Sequence, residues 1–357
     1  MGGKRFWPGS SRARNHLTQC PRLCARLPVR PPPALPRPDR DAQCLRRGSG
    51  VPLPSGERVL DWPAMNAAMP LRHLLFAVAI MAVWGSNFVV AKYALDSLPP
   101  LFFATLRFAL ALVPAMFFVA RPACGWRNLA LYGVLIGVGQ FGLLYVALDG
   151  HISPGLASLV IQTQVFFTVG LSMLIRRERV RPFQWFALLL AVSGIGVILA
   201  HTDGTTTPLG LALILLGAVC WAGGNITATQ AGPVSILSYV VWASAFAVPP
   251  LLVMSLVLEG PAAIAAGVGR ADALTWLAVI WQAAGNTIFG YGGWGWLLAR
   301  YPAATVAPMA LLVPVFGMGS SALVLGESLP AWKVIAALLV MAGLALNLLW
   351  PRWRSGP

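Results

Sequence analysis

From residue 71 onward, long apolar runs alternate with short polar breaks, and the runs share one length. About 20 apolar residues in a helix rising ~1.5 Å per residue cover the ~30 Å of a bilayer's hydrocarbon. Ten such windows follow one another, at 71–93, 100–119, 129–148, 152–175, 183–200, 208–230, 234–257, 273–298, 303–325 and 331–350. The breaks are a few residues long, apart from a modest one near 258–272, so no soluble domain fits between windows. Backbone in hydrocarbon must satisfy its own hydrogen bonds, which makes each window a predicted helix. The expected fold class is an all-α integral membrane protein with ten transmembrane helices.

Composition agrees. Hydrophobic residues make up 57% of the 357 residues and charged ones 10%, against about 25% charged in soluble domains. The net charge of +15 does not point to nucleic acid, because more than half of it sits in residues 1–70, with 12 Lys and Arg against 4 Asp and Glu. That stretch, with "RPPPALPRPDR" in it, has no apolar run of span length and reads as a disordered basic tail over 1–68. It lacks the amphipathic, Ser-rich character of a transit peptide. The simplest expectation is a start at Met65 or Met69. Cys20, Cys24, Cys44, Cys124 and Cys220 form neither a disulfide framework nor a zinc motif.

Charge bias sets the expected orientation. The side holding both termini carries Arg72, Arg121, Arg127, Arg176, Arg177, Arg179, Arg181, Arg300, Arg352 and Arg354. The other side carries Lys92, Arg270 and Lys333, together with most of the acids. By the positive-inside rule both termini are cytoplasmic. The chain also repeats. "WGSN" (84–87) corresponds to "WAGGN" (221–225), and 176–194 matches 325–343 at a constant offset that superposes Glu178 on Glu327 and Gly194 on Gly343. The repeats, 69–207 and 208–357, hold five spans each, an odd number, so the second enters the membrane from the opposite side. Inverted repeats are the usual build of secondary transporters, with the binding site near the midplane between the copies.

The segments "VWGSNFVVAKYAL", "PPLFFATLRFAL", "FFVARP", "GLASLVIQTQVFFTV" and "GYGGWGWLLARYPAATVAPMALLVPVFGMGSSALVLGESL" resemble the EamA family of the drug/metabolite transporter superfamily, over roughly 71–354. The resemblance implies ten spans in two inverted EamA repeats. It also implies efflux of amino acids or related metabolites across the inner membrane, of the cysteine and O-acetylserine type. Related exporters share these motifs and carry other cargo, so a broader exporter of drugs or metabolites stays open.

Polar residues within spans are few enough to weigh singly. Trp84 and Asn87 share a helical face, and Asn225 is the second copy's counterpart; each asparagine either lines a cavity or bonds a neighbouring helix. Gln140 is mid-span and Tyr145 lies five residues further on. Gln162 and Gln164 are about 200° apart on an α-helix, so only one is expected in a cavity. Asn286, Tyr291 and Trp294 ride on the glycine-rich eighth window as cavity candidates. Gly133 and Gly137 form a GxxxG packing face. Gly290 and Gly293 permit close approach, and Pro308 and Pro314 each free a carbonyl and can act as hinges. Arg107 is the outlier, since a guanidinium cannot shed its charge in an apolar helix. It lies about 10 Å in from its span's start at ~1.5 Å per residue. Three roles are open to it: snorkelling, capping carbonyls, or offering a bidentate fork to a cargo carboxylate.

All seven acids after residue 71 fall at loops or span ends, so a deep carboxylate relay for protons is absent. No GxSxG, HExxH or P-loop occurs, so no catalytic residue, metal or cofactor is expected; a membrane enzyme or receptor subunit is the alternative from another class. Expected partners are a small-molecule cargo and the lipid bilayer, with a homodimer allowed and no nucleic acid.

Overall fold

A computed structural model describes residues 69–176, 182–201 and 206–354. The expected disorder of the tail over 1–68, and the loop bearing Glu178, lie outside the described residues. Among these, nine helices are long and apolar enough to cross a membrane. They are α1 (Leu71–Leu95), α2 (Pro100–Phe117), α3 (Trp126–Leu148), α4 (Pro154–Ile175), α5 (Pro182–Ala200), α6 (Pro208–Thr229), α7 (Ile236–Glu259), α10 (Ala307–Leu325) and α11 (Ala331–Trp350). The tenth window is α9 (Ala273–Leu298), which meets a short preceding helix, α8 (Pro261–Arg270), at 108°.

Helix α8 occupies most of the break near 258–272. Gly260 turns the chain at φ 86° and Pro261 begins the helix with its ring already at a helical φ. Gly267 then lies so close to α2 that a Cβ would come within 2.8 Å of Pro99 Cδ. A ten-residue helix with Ala and Gly at six positions and Arg270 as its one polar residue has too little polar contrast to show a period.

The two halves pack on each other by a pseudo-two-fold. Gly194 of α5 faces Ala336 and Val340 of α11, and Gly343 of α11 faces Ala187 and Ala191 of α5. These are the same positions in the two copies, each glycine lying under the other repeat's backbone. An isologous contact of this kind is what a two-fold axis produces. With α5 and α11 running in opposite directions, that axis lies in the membrane plane. Likewise the second helices of the repeats, α2 and α7, pack on each other, and α1 packs on α10. Gly133 and Gly137 press α3 onto Ala243 and Ala247 of α7.

The helices break regular winding at matched places. The third span of each repeat carries a π-helical segment, Val134–Gly142 in α3 and Trp281–Phe289 in α9. The fourth span of each carries a 3-10 segment, Ile161–Thr163 in α4 and Ala307–Leu311 at the start of α10. Pro308 lies within the second of these, and Pro314 is buried in the α-helical part of α10. Such departures cost hydrogen-bond quality and gather at functional sites.

One end of the bundle is tied across the repeats. Glu259, ending α7, accepts hydrogen bonds from the Leu101 and Phe102 amides at the start of α2 (2.6 and 3.1 Å). Glu327, following α10, accepts from the Gly155 amide at the start of α4 (3.1 Å), from Ser153 and Ser321, and from Lys333 Nζ (2.8 Å). Both carboxylates sit where helix N-termini present unpaired N–H groups and positive dipole ends.

Candidate functional site

Away from that tied end, the helices of both repeats enclose a cavity of about 430 Å³, within the range of small-molecule sites. It runs from the mid-bundle level of Trp84 and Asn87 to Gly232 and Val234, in the turn joining α6 to α7. The structure is thus open toward the end that carries the arginine-rich loops. Its polar lining is entirely amide and phenol: Asn87, Gln140, Gln162, Gln164, Asn225 and Asn286 beside Tyr132, Tyr239 and Tyr291. Phe88, Phe141, Trp84, Trp221 and Trp294 supply the apolar walls, and no charged side chain lines it among the described residues.

Trp84 is held on three sides. Its ring lies 5.4 Å from that of Tyr291 and 5.5 Å from that of Trp294, and its Nε1 donates to the Asn286 carbonyl at 3.1 Å. Gly290 makes this possible, because a Cβ there would overlap the indole. Gly293 likewise admits Ile80 and Phe76 of α1. Asn225 Nδ2 donates to Gln164 Oε1 (2.8 Å) and Thr168 Oγ1 (3.1 Å), tying α6 to α4 at the cavity wall. The side-chain oxygens of Asn87 and Gln140 are buried without hydrogen-bond partners.

Gln162 and Gln164 both line the cavity, against the expectation of one. The angle of 200° assumed unbroken α winding, and the 3-10 turn Ile161–Thr163 contains Gln162 and ends just before Gln164. Gln162 also bridges the repeats, with Nε2 donating to the Ala310 carbonyl at 3.2 Å. Pro314, four residues after Ala310, has no N–H to give that carbonyl. The side chain of one repeat thus supplies what a proline removed from the other.

Arg107 and Tyr145, also expected on the cavity wall, stand behind it, both fully buried. Arg107 Nη1 donates to the Tyr145 hydroxyl at 2.7 Å, and that hydroxyl donates to Gln282 Oε1 at 3.1 Å. Gln282 Nε2 in turn reaches the Asn87 carbonyl at 3.4 Å. The guanidinium carbon lies 3.5 Å from the centroid of the Phe141 ring, whose other surroundings include the cavity. Snorkelling is ruled out by this inward placement.

Sequence reasoning passed over Trp221, Phe88, Phe141, Tyr132 and Tyr239 as lining residues. Trp221 had a usable signal, being the repeat counterpart of Trp84; the others look like ordinary apolar span residues until packing turns them inward. At the tied end, burial pushes the Glu327 carboxyl up, but hydrogen bonds from Lys333, Ser153 and Ser321 outweigh this and hold it below the usual carboxylate range. No group of three His, Cys, Asp or Glu side chains among the described residues is placed to hold a metal ion.

Comparison with known proteins gives this geometry a context. The EamA-like transporter family matches residues 71–200 and again 208–349. A probable amino-acid metabolite efflux pump of Salmonella typhimurium is 42% identical over 76% of this chain and 93% of its own length. Its namesake in Escherichia coli is 40% identical over 79% and 96%. A probable terminal-alkyne amino-acid exporter of Streptantibioticus cattleyicolor is 25% identical over 78% of this chain and 94% of its own. A crystal structure 19% identical superposes with a TM-score of 0.53 over 81% of this chain and 100% of that one, a likeness of fold alone. Two family matches, one per repeat, around a cavity enclosed between those repeats make this chain a member of the EamA-like transporter family.

Proposed function

We propose that the chain exports small amino-acid-like metabolites, of the cysteine and O-acetylserine type, across the inner membrane by alternating access. The cavity is the proposed cargo site, with Trp84, Asn87, Gln140, Gln162, Asn225, Asn286, Tyr291 and Trp294 in contact with cargo. The observation that carries this reading is the neutral lining. A zwitterion has no net charge to be repelled or trapped; its carboxylate accepts from amide N–H groups, and its ammonium suits amide oxygens and aromatic faces. A wall of one fixed charge would favour net ions instead. The names of the relatives from Salmonella typhimurium and Escherichia coli support the same class.

The division at 207/208 into two transport repeats and cytoplasmic termini belong to the proposal. Supporting the orientation are Arg121 on Trp126 and Arg300 on Trp296, cation–aromatic pairs 3.7 and 3.9 Å apart at the arginine-rich end. The cavity is lined by helices of both repeats, and a homodimer is compatible with this proposal. A broader exporter of drugs or other metabolites is the competing reading. Counterflow in liposomes with labelled cysteine and O-acetylserine tests the cargo, and signal no higher than in empty liposomes for either compound overturns it. For the orientation, a cysteine-free background with Asp149→Cys should label from outside, and one with Gln230→Cys only after permeabilisation. The reverse pattern overturns it.

A further inference from the structure

Arg107 is a cation in search of an anion. Its side chain is 0% exposed, its Nε has no hydrogen-bond partner, and no carboxylate pairs with it among the described residues. Two hydroxyls meet it, those of Tyr145 at 2.7 Å and Thr287 at 3.5 Å, together with the faces of Phe141 and Phe108. Guanidinium cannot neutralise itself by losing a proton, and a buried charge without a counter-charge is a standing cost to the fold. A group kept at that cost in a membrane interior is by default a functional one.

One ring touches both this cation and the cavity. Phe141 lies against the guanidinium on one side and lines the cavity on another, and its neighbour Gln140, also a lining residue, keeps a buried side-chain oxygen without a hydrogen-bond partner. The hydrogen-bond chain from Arg107 through Tyr145 and Gln282 ends on the carbonyl of Asn87, a cavity residue. Phe141 and Gln140 belong to the π-helical segment of α3, Thr287 and Gln282 to that of α9. A π segment is an α-helix carrying an extra residue in a turn, and shifting that insertion along the chain turns the residues it passes by up to ~100°. The Phe141 ring over Arg107 is thus mounted on π-helical backbone, a departure from regular winding that gathers at functional sites.

We propose that Arg107 is a carboxylate subsite for the cargo, closed off by the Phe141 ring in the state described and exposed when that ring is displaced. The guanidinium edge then offers parallel N–H donors to a carboxylate, while Tyr145 and Thr287 hold the guanidinium in place. This rests on the reading of the cavity as the cargo site, and it adds a two-step binding order: neutral capture in the cavity first, ion pairing after the ring moves.

The test uses the full chain, purified, with acetate as the probe and acetamide as its uncharged match, chloride keeping ionic strength equal. A ligand that binds the folded state raises the melting temperature by mass action. Phe141→Leu and Phe141→Ala should show an acetate response absent with acetamide and larger than the parent's. Adding Arg107→Lys should weaken the apparent acetate affinity about tenfold, since an ammonium keeps the charge and loses the fork. An acetate response in the Phe141 variants no greater than that of acetamide overturns the proposal. So does an equal response with Arg107→Lys added. Counterflow of O-acetylserine by the parent reads the export proposal separately: silence there with an intact acetate response would remove the cargo reading and leave the anion site standing.

Discussion

Gly290→Ala adds one methyl to the structure and should be destabilising, whereas the same change at Gly196 should be stabilising. At Gly290 the new Cβ would lie 3.0 Å from Trp84 Cε2, 3.1 Å from Cδ1 and closer still to Nε1. Carbon pairs gain most at ~3.5–4.0 Å, so the indole must move or the backbone must shift. If it moves, the hydrogen bond to the Asn286 carbonyl is lost, at a net cost of about 1 kcal/mol. The ring pairs with Tyr291 and Trp294 go with it, at about 0.5–1.5 kcal/mol each. Alanine returns up to ~1 kcal/mol of helix propensity. The balance is a loss of about 1–3 kcal/mol, which matches the usual cost of overpacking. Around Gly196 a Cβ meets nothing within 4 Å, so that variant keeps the ~1 kcal/mol gain of alanine over glycine. Equilibrium unfolding of both proteins in the same detergent reads the difference, and counterflow reads the displacement of a cavity wall in Gly290→Ala alone. If the two variants unfold together within about half a kcal/mol, a resolution typical of additive sites, then Trp84 does not occupy the pocket over Gly290.

Further expectations follow from other contacts. Gly137→Ala forces a methyl onto that of Ala247 and should cost about 1–3 kcal/mol; Ala247→Gly in the same chain should restore most of it, and a double variant as unstable as the single one refutes the pairing. Gln162→Leu removes the side-chain donor to the Ala310 carbonyl and should lower stability by about 1 kcal/mol, read by thermal unfolding, whereas Gln162→Glu should do worse by burying a charge. Glu327→Gln strands Lys333, whose side chain is 4% exposed, at about 3 kcal/mol at neutral pH. Because the folded carboxyl titrates below its usual range, this stability is present above the unfolded value of about 4.3 and is lost as pH falls below it. The gap in melting temperature between parent and variant should therefore narrow from pH 5 toward pH 3, and a gap independent of pH contradicts the ion pair.

Hydrophobic spacing alone determined that the chain crosses the membrane and about where, because hydrocarbon thickness and helical rise leave little freedom. The offset of Gly194 to Gly343 likewise announced the repeat, and an odd span count implied its inversion. Whether Gln164 faced the cavity could not be read this way, since a 3-10 turn at Ile161–Thr163 changes the angle between neighbours and leaves no mark in residue type. Helix α8 escaped for want of a polar face. Arg107 shows the divide most sharply. Its charge within an apolar run was plain in the sequence, yet the three roles open to it differ by a few ångströms of placement. Depth along one helix is a local quantity and can be counted in residues. Which side of Phe141 the guanidinium occupies depends on how α2, α3 and α9 pack on one another, two of them through π-helical backbone, and packing between distant segments is decided only in the folded bundle.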